Sequence, residues 1–118
     1  MNQSLSVVVF DPSSHSFTKS SVNQFEEYYP LLSFENNEVT LFDIVSIEPG
    51  LDIYINDEGL LKQEFYLTKL FNSRGDKLEL AGKLIFVGSD NDGNSISVNK
   101  SIEYIQSLIK AVYHYGQK

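Results

Sequence analysis

Residues 51–62 show the clearest change of hydrophobic pattern in the chain. Leu51, Ile53 and Ile55 alternate with Asp52, Tyr54 and Asn56, the period-two signature of a half-buried strand. Asn56, Asp57, Glu58 and Gly59 tolerate tight or positive-φ geometry and predict a turn, after which Leu60 and Leu61 return the chain to the core. Upstream, residues 5–10 hold three successive valines and are apolar on both faces, which predicts a strand covered on both sides. Asp11-Pro12-Ser13-Ser14 ends it, and residues 15–20 predict a short second strand with Phe17 pointing inward.

Ser21 and Gln24 have the spacing of a capping box, and Val22, Phe25 and Tyr28 or Tyr29 recur at helical spacing, so a short helix is predicted over residues 22–29, closed by Pro30. Residues 31–34 predict a strand, 35–38 a hairpin turn and 39–48 a long strand. Within that strand Leu41, Phe42, Ile44 and Val45 place apolar groups on both faces around Asp43, which calls for a bulge near Asp43 or for cover on both sides. Pro49-Gly50 reverses the chain into residues 51–56. Residues 63–71 suit either an irregular apolar loop or a helical turn or two, and 72–76 a loop. Residues 77–80 and 84–87 predict strands separated by a bend at Gly82, followed by a turn over 89–95 and a short strand over 96–98. Ile102, Ile105, Leu108, Ile109 and Val112 then line one face of a C-terminal helix capped by Asn99 or Ser101 and stopped by Gly116.

Together these elements predict a single globular α+β domain over residues 1–118. Its core is a mostly antiparallel curved sheet or partial barrel of about six strands, with a short helix in the N-terminal half and an amphipathic C-terminal helix. A chain of 118 residues with 42% hydrophobic and 13% aromatic content supplies one core. No apolar run reaches the eighteen residues of a membrane-spanning helix, and Met-Asn-Gln-Ser does not open a signal peptide. The lack of cysteine fits a reducing, cytoplasmic setting.

Charge changes the picture more than composition does. The net charge is −7, and it is divided unevenly: residues 1–60 hold ten acids and one base, Lys19, whereas residues 61–118 hold six acids and eight bases. A half-chain of net −9 repels phosphate backbones and anionic lipid, which need Lys and Arg to displace their counterions, so neither nucleic acid nor membrane is expected as a direct partner.

Chemical motifs are sparse. Ser89-Asp90-Asn91-Asp92-Gly93 resembles part of a calcium loop, but alignment on Gly93 leaves Gly88 and Asn99 where carboxylates are required, and a plain turn is expected. Gly82-Lys83 lacks the preceding glycine and following Ser or Thr of a phosphate loop. With two histidines, no cysteine and no nucleophile elbow, nothing predicts an enzyme, a cofactor or a metal. His15 and His114 are expected to be structural or solvent-exposed, and most of the tyrosines to sit in or at the edge of the core with wet hydroxyls.

Tyr54-Ile55-Asn56-Asp57-Glu58-Gly59-Leu60-Leu61-Lys62, then Ala81-Gly82-Lys83-Leu84-Ile85-Phe86-Val87-Gly88, then an amphipathic C-terminal segment, resembles the domain of unknown function 3846 family over roughly residues 20–112. The chain departs from the family pattern after Lys62, where it reads Gln-Glu-Phe-Tyr-Leu-Thr. The resemblance implies a phage, plasmid or conjugative-element setting and carries no activity. With the acidic half it leads to the expectation of a non-enzymatic protein docking on a basic, nucleic-acid-binding surface of a host protein such as a defence nuclease. The expected partner-binding residues are Glu35, Glu38, Asp43, Asp52, Tyr54, Asp57 and Glu58. The alternative is a structural or accessory module that forms a homodimer through its aromatics, with the acids serving solubility.

Overall fold

The computed structural model describes residues 4–23, 27–32, 42–56 and 65–115. The first sheet is built on β1 (Leu5–Asp11), β2 (Ser16–Val22), β3 (Phe42–Glu48), β4 (Leu51–Asn56), β7 (Leu84–Ser89) and the two-residue β8 (Ser95–Ile96), in the order β2-β1-β7-β4-β3. The second sheet is β6-β5-β9, from β5 (Phe65–Phe71), β6 (Lys77–Ala81) and β9 (Ile109–Tyr115). Every strand pair is antiparallel. Two short helices, α1 (Tyr28–Leu32) and α2 (Ile102–Leu108), complete the fold. The mostly antiparallel α+β expectation holds in that coarse form. Among the described residues the strands number nine in two sheets instead of about six in one, and they form no closed barrel.

The first sheet is buried on both faces. On one side Val8, Phe10, Leu51, Ile53, Leu84 and Phe86 meet Leu70 and Leu80 of the second sheet and Ile105 of α2. On the other, Val7, Val9, Tyr54, Ile85 and Val87 lie under Tyr28, Leu31 and Leu32 of α1. The unbroken apolar runs of β1 and β7 follow directly, because a strand between two cores has no polar face to alternate with. Gly82, at φ +83, turns the chain out of β6, and its N–H donates to Tyr66 O at 2.9 Å, so β6 and β7 enter different sheets. β8 pairs with Gly88 and Ser89 on the edge of β7 that β1 leaves free beyond Phe86, and Val98 N continues onto Ser6 O at 2.8 Å. The approach is close enough that a Cβ on Gly88 would lie 2.6 Å from Ser97 O.

Several local expectations are corrected. Val22 closes β2, paired with Leu5, and the helix begins at Tyr28 and runs through Pro30 to Leu32. Proline is tolerated in a first helical turn, where its missing N–H has no intrahelical acceptor. Leu31 and Leu32 are therefore helical and not strand. Pairing runs regularly through Asp43, and the bulge falls at Ile47, which the register skips between Ser46 and Glu48. Residues 65–71, expected as loop or helix, form β5. The Gln24 capping position, the 35–38 turn, the 57–61 tip and the Gly116 stop lie outside the described residues.

The C-terminal element differs most. Ser101 caps α2, its Oγ accepting from Tyr104 N at 3.1 Å, but the helix lasts seven residues and gives way to β9. A bulge explains why the sequence looked helical. The pairing of β9 with β5 passes from Lys69↔Ala111 to Leu70↔Ile109, skipping Lys110, so Ile109 and Val112, three positions apart, both pack on the core. Spacing by three therefore arises from a bulged strand here, and β-branched and aromatic residues favour the strand.

Candidate functional site

Asp43, Glu48 and Asp52 lie on the β3–β4 pair, whose alternation settles which side each residue takes. Leu51, Ile53 and Ile55 face the inter-sheet core, which puts Asp52, Tyr54 and Asn56 on the α1 side. Tyr54 is 4% exposed. Its ring centroid stands 4.5 Å from that of Tyr28, and its hydroxyl is 2.7 Å from Ser95 Oγ. Burial, and then the neighbouring Tyr54 hydroxyl, hold the Tyr28 phenol well above its ordinary value. Asp52 lies two residues from Tyr54 on the same face, opposite Ser46 and Val87. It is partly buried, no donor among the described residues reaches it, and that burial raises its carboxyl above the usual carboxylate value. Asp43 faces Ile55 and so stands on the opposite side of the sheet, exposed.

Of the seven expected partner-binding residues, the fold thus brings Asp52 and Tyr54 together and sets Asp43 on the reverse face. Tyr54 is a core residue whose hydroxyl is engaged internally, which leaves it no contact surface to offer. Glu35, Glu38, Asp57 and Glu58 lie outside the described residues.

Two further features were not expected. The bulge at Ile47 opens a groove of about 310 Å³ lined by Ser46, Glu48, Pro49, Asn72, Ser73 and Arg74. The β5–β6 hairpin is anchored there by Ser73 N donating to Ile47 O at 2.8 Å. Glu48 Oε1 accepts from Tyr104 Oη at 2.7 Å, which raises the Tyr104 phenol, and Lys100 Nζ lies 5.1 Å from the same ring. These residues are 56 positions apart, beyond any local sequence signal.

The second unexpected feature is the outer face of the second sheet. Leu67 faces Ala81 and Tyr113, Lys69 faces Glu79 and Ala111, and Phe71 faces Lys77. Tyr115, Tyr113 and Phe71 remain 48%, 42% and 39% exposed. The sequence held these residues, but not their assembly, because β5 and β9 were read as loop and helix.

The remaining polar groups serve turns. Asp90 accepts from Asp92 N at 2.9 Å and Asn94 N at 2.8 Å, which lowers its carboxyl pKa. Its hydrogen-bonding capacity is spent on its own hairpin, in line with the plain-turn expectation. His15 sits edge-on to Phe10 at 5.3 Å, and His114 stacks on Tyr66 at 4.4 Å. Among the described residues no group of three or more His, Asp and Glu side chains is placed to hold a metal, and no helix is long and apolar enough to cross a membrane. No protein-family model matches the chain, and neither a curated protein nor a solved structure matches it significantly, so the resemblance noted above rests on its own residues.

Proposed function

We propose that the protein is a non-enzymatic acidic binding protein that docks on a basic, nucleic-acid-binding surface of a host protein such as a defence nuclease. The observation that carries this reading is the excess of negative charge in residues 1–60. Ten acids and one base occupy residues 1–60, and none of the described acids among them is held in an ion pair. Asp11 binds its own turn through Ser13, Glu27 accepts from Asn23 N, Glu48 accepts from a tyrosine, and Asp43 is exposed. The one ion pair between described residues joins Arg74 to Asp76, both in the other half.

Topology supports the same reading. Phe42 at the start of β3 faces Asn56 at the end of β4, so the chain enters and leaves this pair at one end. In sequence, Glu35 and Glu38 precede that entry, and Asp57 and Glu58 follow that exit. An excess of one sign of charge steers a partner of the other sign and gives a salt-dependent association rate.

The test is capture from host lysate at low and high salt. The bait is the wild-type chain or a variant carrying Glu35→Gln, Glu38→Gln, Asp57→Asn and Glu58→Asn. The wild type should retain a nucleic-acid-binding protein at low salt and release it as salt rises, and the variant should not retain it. Equal retention by the variant with unchanged salt dependence would remove the acidic mechanism.

A further inference from the structure

We infer that the outer face of the second sheet is a two-fold interface with a second copy of this chain. The pattern across β5 and β6 is self-complementary. Leu67 faces Ala81, Lys69 faces Glu79 and Phe71 faces Lys77 in register, on the side opposite the buried Thr68, Leu70 and Leu80, with Ala81 itself buried at the Gly82 end. A two-fold axis parallel to these strands and midway between them exchanges the members of every pair. It lays Lys69 over Glu79 of the second copy and Phe71 over its Lys77, and repeats each contact on the other side of the axis.

The groups concerned are available for this. Lys69 and Glu79 are opposite in charge and direct cross-strand neighbours, yet they form no ion pair within the chain. Lys69 Nζ instead lies 5.7 Å from the Phe71 ring centroid. Lys77 and Glu79 are exposed, and among the described residues neither side chain is in an ion pair. Phe71 keeps 39% of its surface open, and Tyr113 and Tyr115, on the β9 side, extend the face with amphipathic rings of the kind enriched at interfaces.

Charge also selects the occupant. Two copies of a −7 chain repel except through a surface of low or positive net charge, and Lys69, Lys77 and Glu79 give this face a net +1. A nucleic acid stacked on the same aromatics would meet the field of the whole −7 molecule with two lysines to offset it. The overlap of β5 and β6 with their counterparts covers about 10 by 20 Å, well below the roughly 800 Å² per partner of a standard interface, so a weak dimer is expected.

Sedimentation of the full chain from about 10 µM to about 1 mM, where weak specific contacts are populated, tests this. The variants are Lys69→Glu, Glu79→Lys and an equimolar mixture of the two, with thermal unfolding of each to establish that it is folded. Wild type should pass from monomer to dimer. Each single variant places like charges over one another twice and should weaken dimerisation at least tenfold. The mixture pairs Glu at 69 with Lys at 79 across the axis, and Lys69 with Glu79, so it should recover a heterodimer of near wild-type strength. A monomeric wild type across the whole range, single variants that dimerise like wild type, or a mixture no stronger than its components would each overturn the assignment.

Discussion

Thr68 offers the sharpest test of the core. It lies in β5 on the inward face of the second sheet, between Leu80 of β6 and Val112 of β9, and it has no exposed surface. Its Oγ1 finds no hydrogen-bond partner. A buried hydroxyl without a partner forfeits its bonds to water, at a cost of about 1–3 kcal/mol. Thr68→Val replaces that hydroxyl with a methyl group while keeping the branched shape that suits a strand and restricts χ1. The substitution removes the penalty and buries apolar surface in its place, so stability should rise by about 1–3 kcal/mol. For a chain of this size each kcal/mol moves Tm by roughly 3–6 °C.

Urea unfolding followed by far-UV circular dichroism or tyrosine fluorescence suits a chain with seven tyrosines and no tryptophan. The midpoint should rise with the m-value unchanged, since the surface exposed on unfolding is nearly the same. Thr68→Ser is the control: it keeps the hydroxyl and deletes the methyl, and should lose about 1 kcal/mol. A Val variant no more stable than wild type at equal m would show that the hydroxyl is satisfied, and would refute the placement of Thr68 in a dry core.

Three other outcomes follow from single contacts. Gly88→Ala should destabilise by about 1–3 kcal/mol, because the added Cβ would meet the backbone oxygen of Ser97 at 2.6 Å and β8 must move; a neutral effect on the urea midpoint would mean that β8 is not seated there. Tyr54→Phe should cost about 1 kcal/mol by removing the hydrogen bond between Tyr54 and Ser95, measured in the same way. Asp52 and Asp90 should give opposite pH dependences. The raised carboxyl of Asp52 favours the folded state below the ordinary value of 3.8 and loses that contribution as pH rises through the folded value, so Asp52→Asn should be more stable than wild type at neutral pH and similar in acid. The lowered carboxyl of Asp90 contributes above 3.8 and loses its contribution as pH falls through the folded value, so Asp90→Ala should be less stable at neutral pH, with the difference closing in acid. Thermal unfolding across pH 2–8 measures both; a parallel offset at every pH would contradict either assignment.

Local pattern was enough where one signal acted alone. The strand over residues 51–56, the Pro49-Gly50 reversal, the doubly covered β1 and the 72–76 loop all appear where alternation or turn chemistry places them. It failed where a bulge imitates another period. Lys110 bulges from β9 and restores Ile109 and Val112 to one face, so a strand carries helical spacing. The split into two sheets was also hidden, because the bend at Gly82 reads the same whether the chain folds back on its own sheet or crosses to another. Site residues suffered from a related ambiguity. Tyr54, on the side of β4 opposite Ile53 and Ile55, suits either a core position or a partner contact by its pattern, and its face is covered by Tyr28 and Leu32 of α1. Alternation separates the two faces of a strand; it does not distinguish water from a second core layer.

Burial of the first sheet on both faces has a consequence for the charge. With apolar residues on either side of β1 and β7, most of the described carboxylates of this half lie at strand ends or on the β3 edge, as Asp11, Asp43 and Glu48 illustrate, with Asp52 of β4 the partly buried exception. The self-complementary face lies on the other sheet and involves none of the acids at positions 1–60. A dimer formed there would therefore leave the described acids of residues 1–60 outside the interface in both copies. Linking two weak docking patches raises affinity for a partner with two basic sites through effective concentration, without any new contact. The two proposals are then separable. Neutralising Glu35, Glu38, Asp57 and Glu58 should abolish partner capture and leave dimerisation intact, or strengthen it by lowering repulsion between copies. Glu79→Lys alone should leave single-site docking in place and remove only the gain from pairing, whereas a loss of all binding in that variant would mean that the partner contacts the second sheet itself.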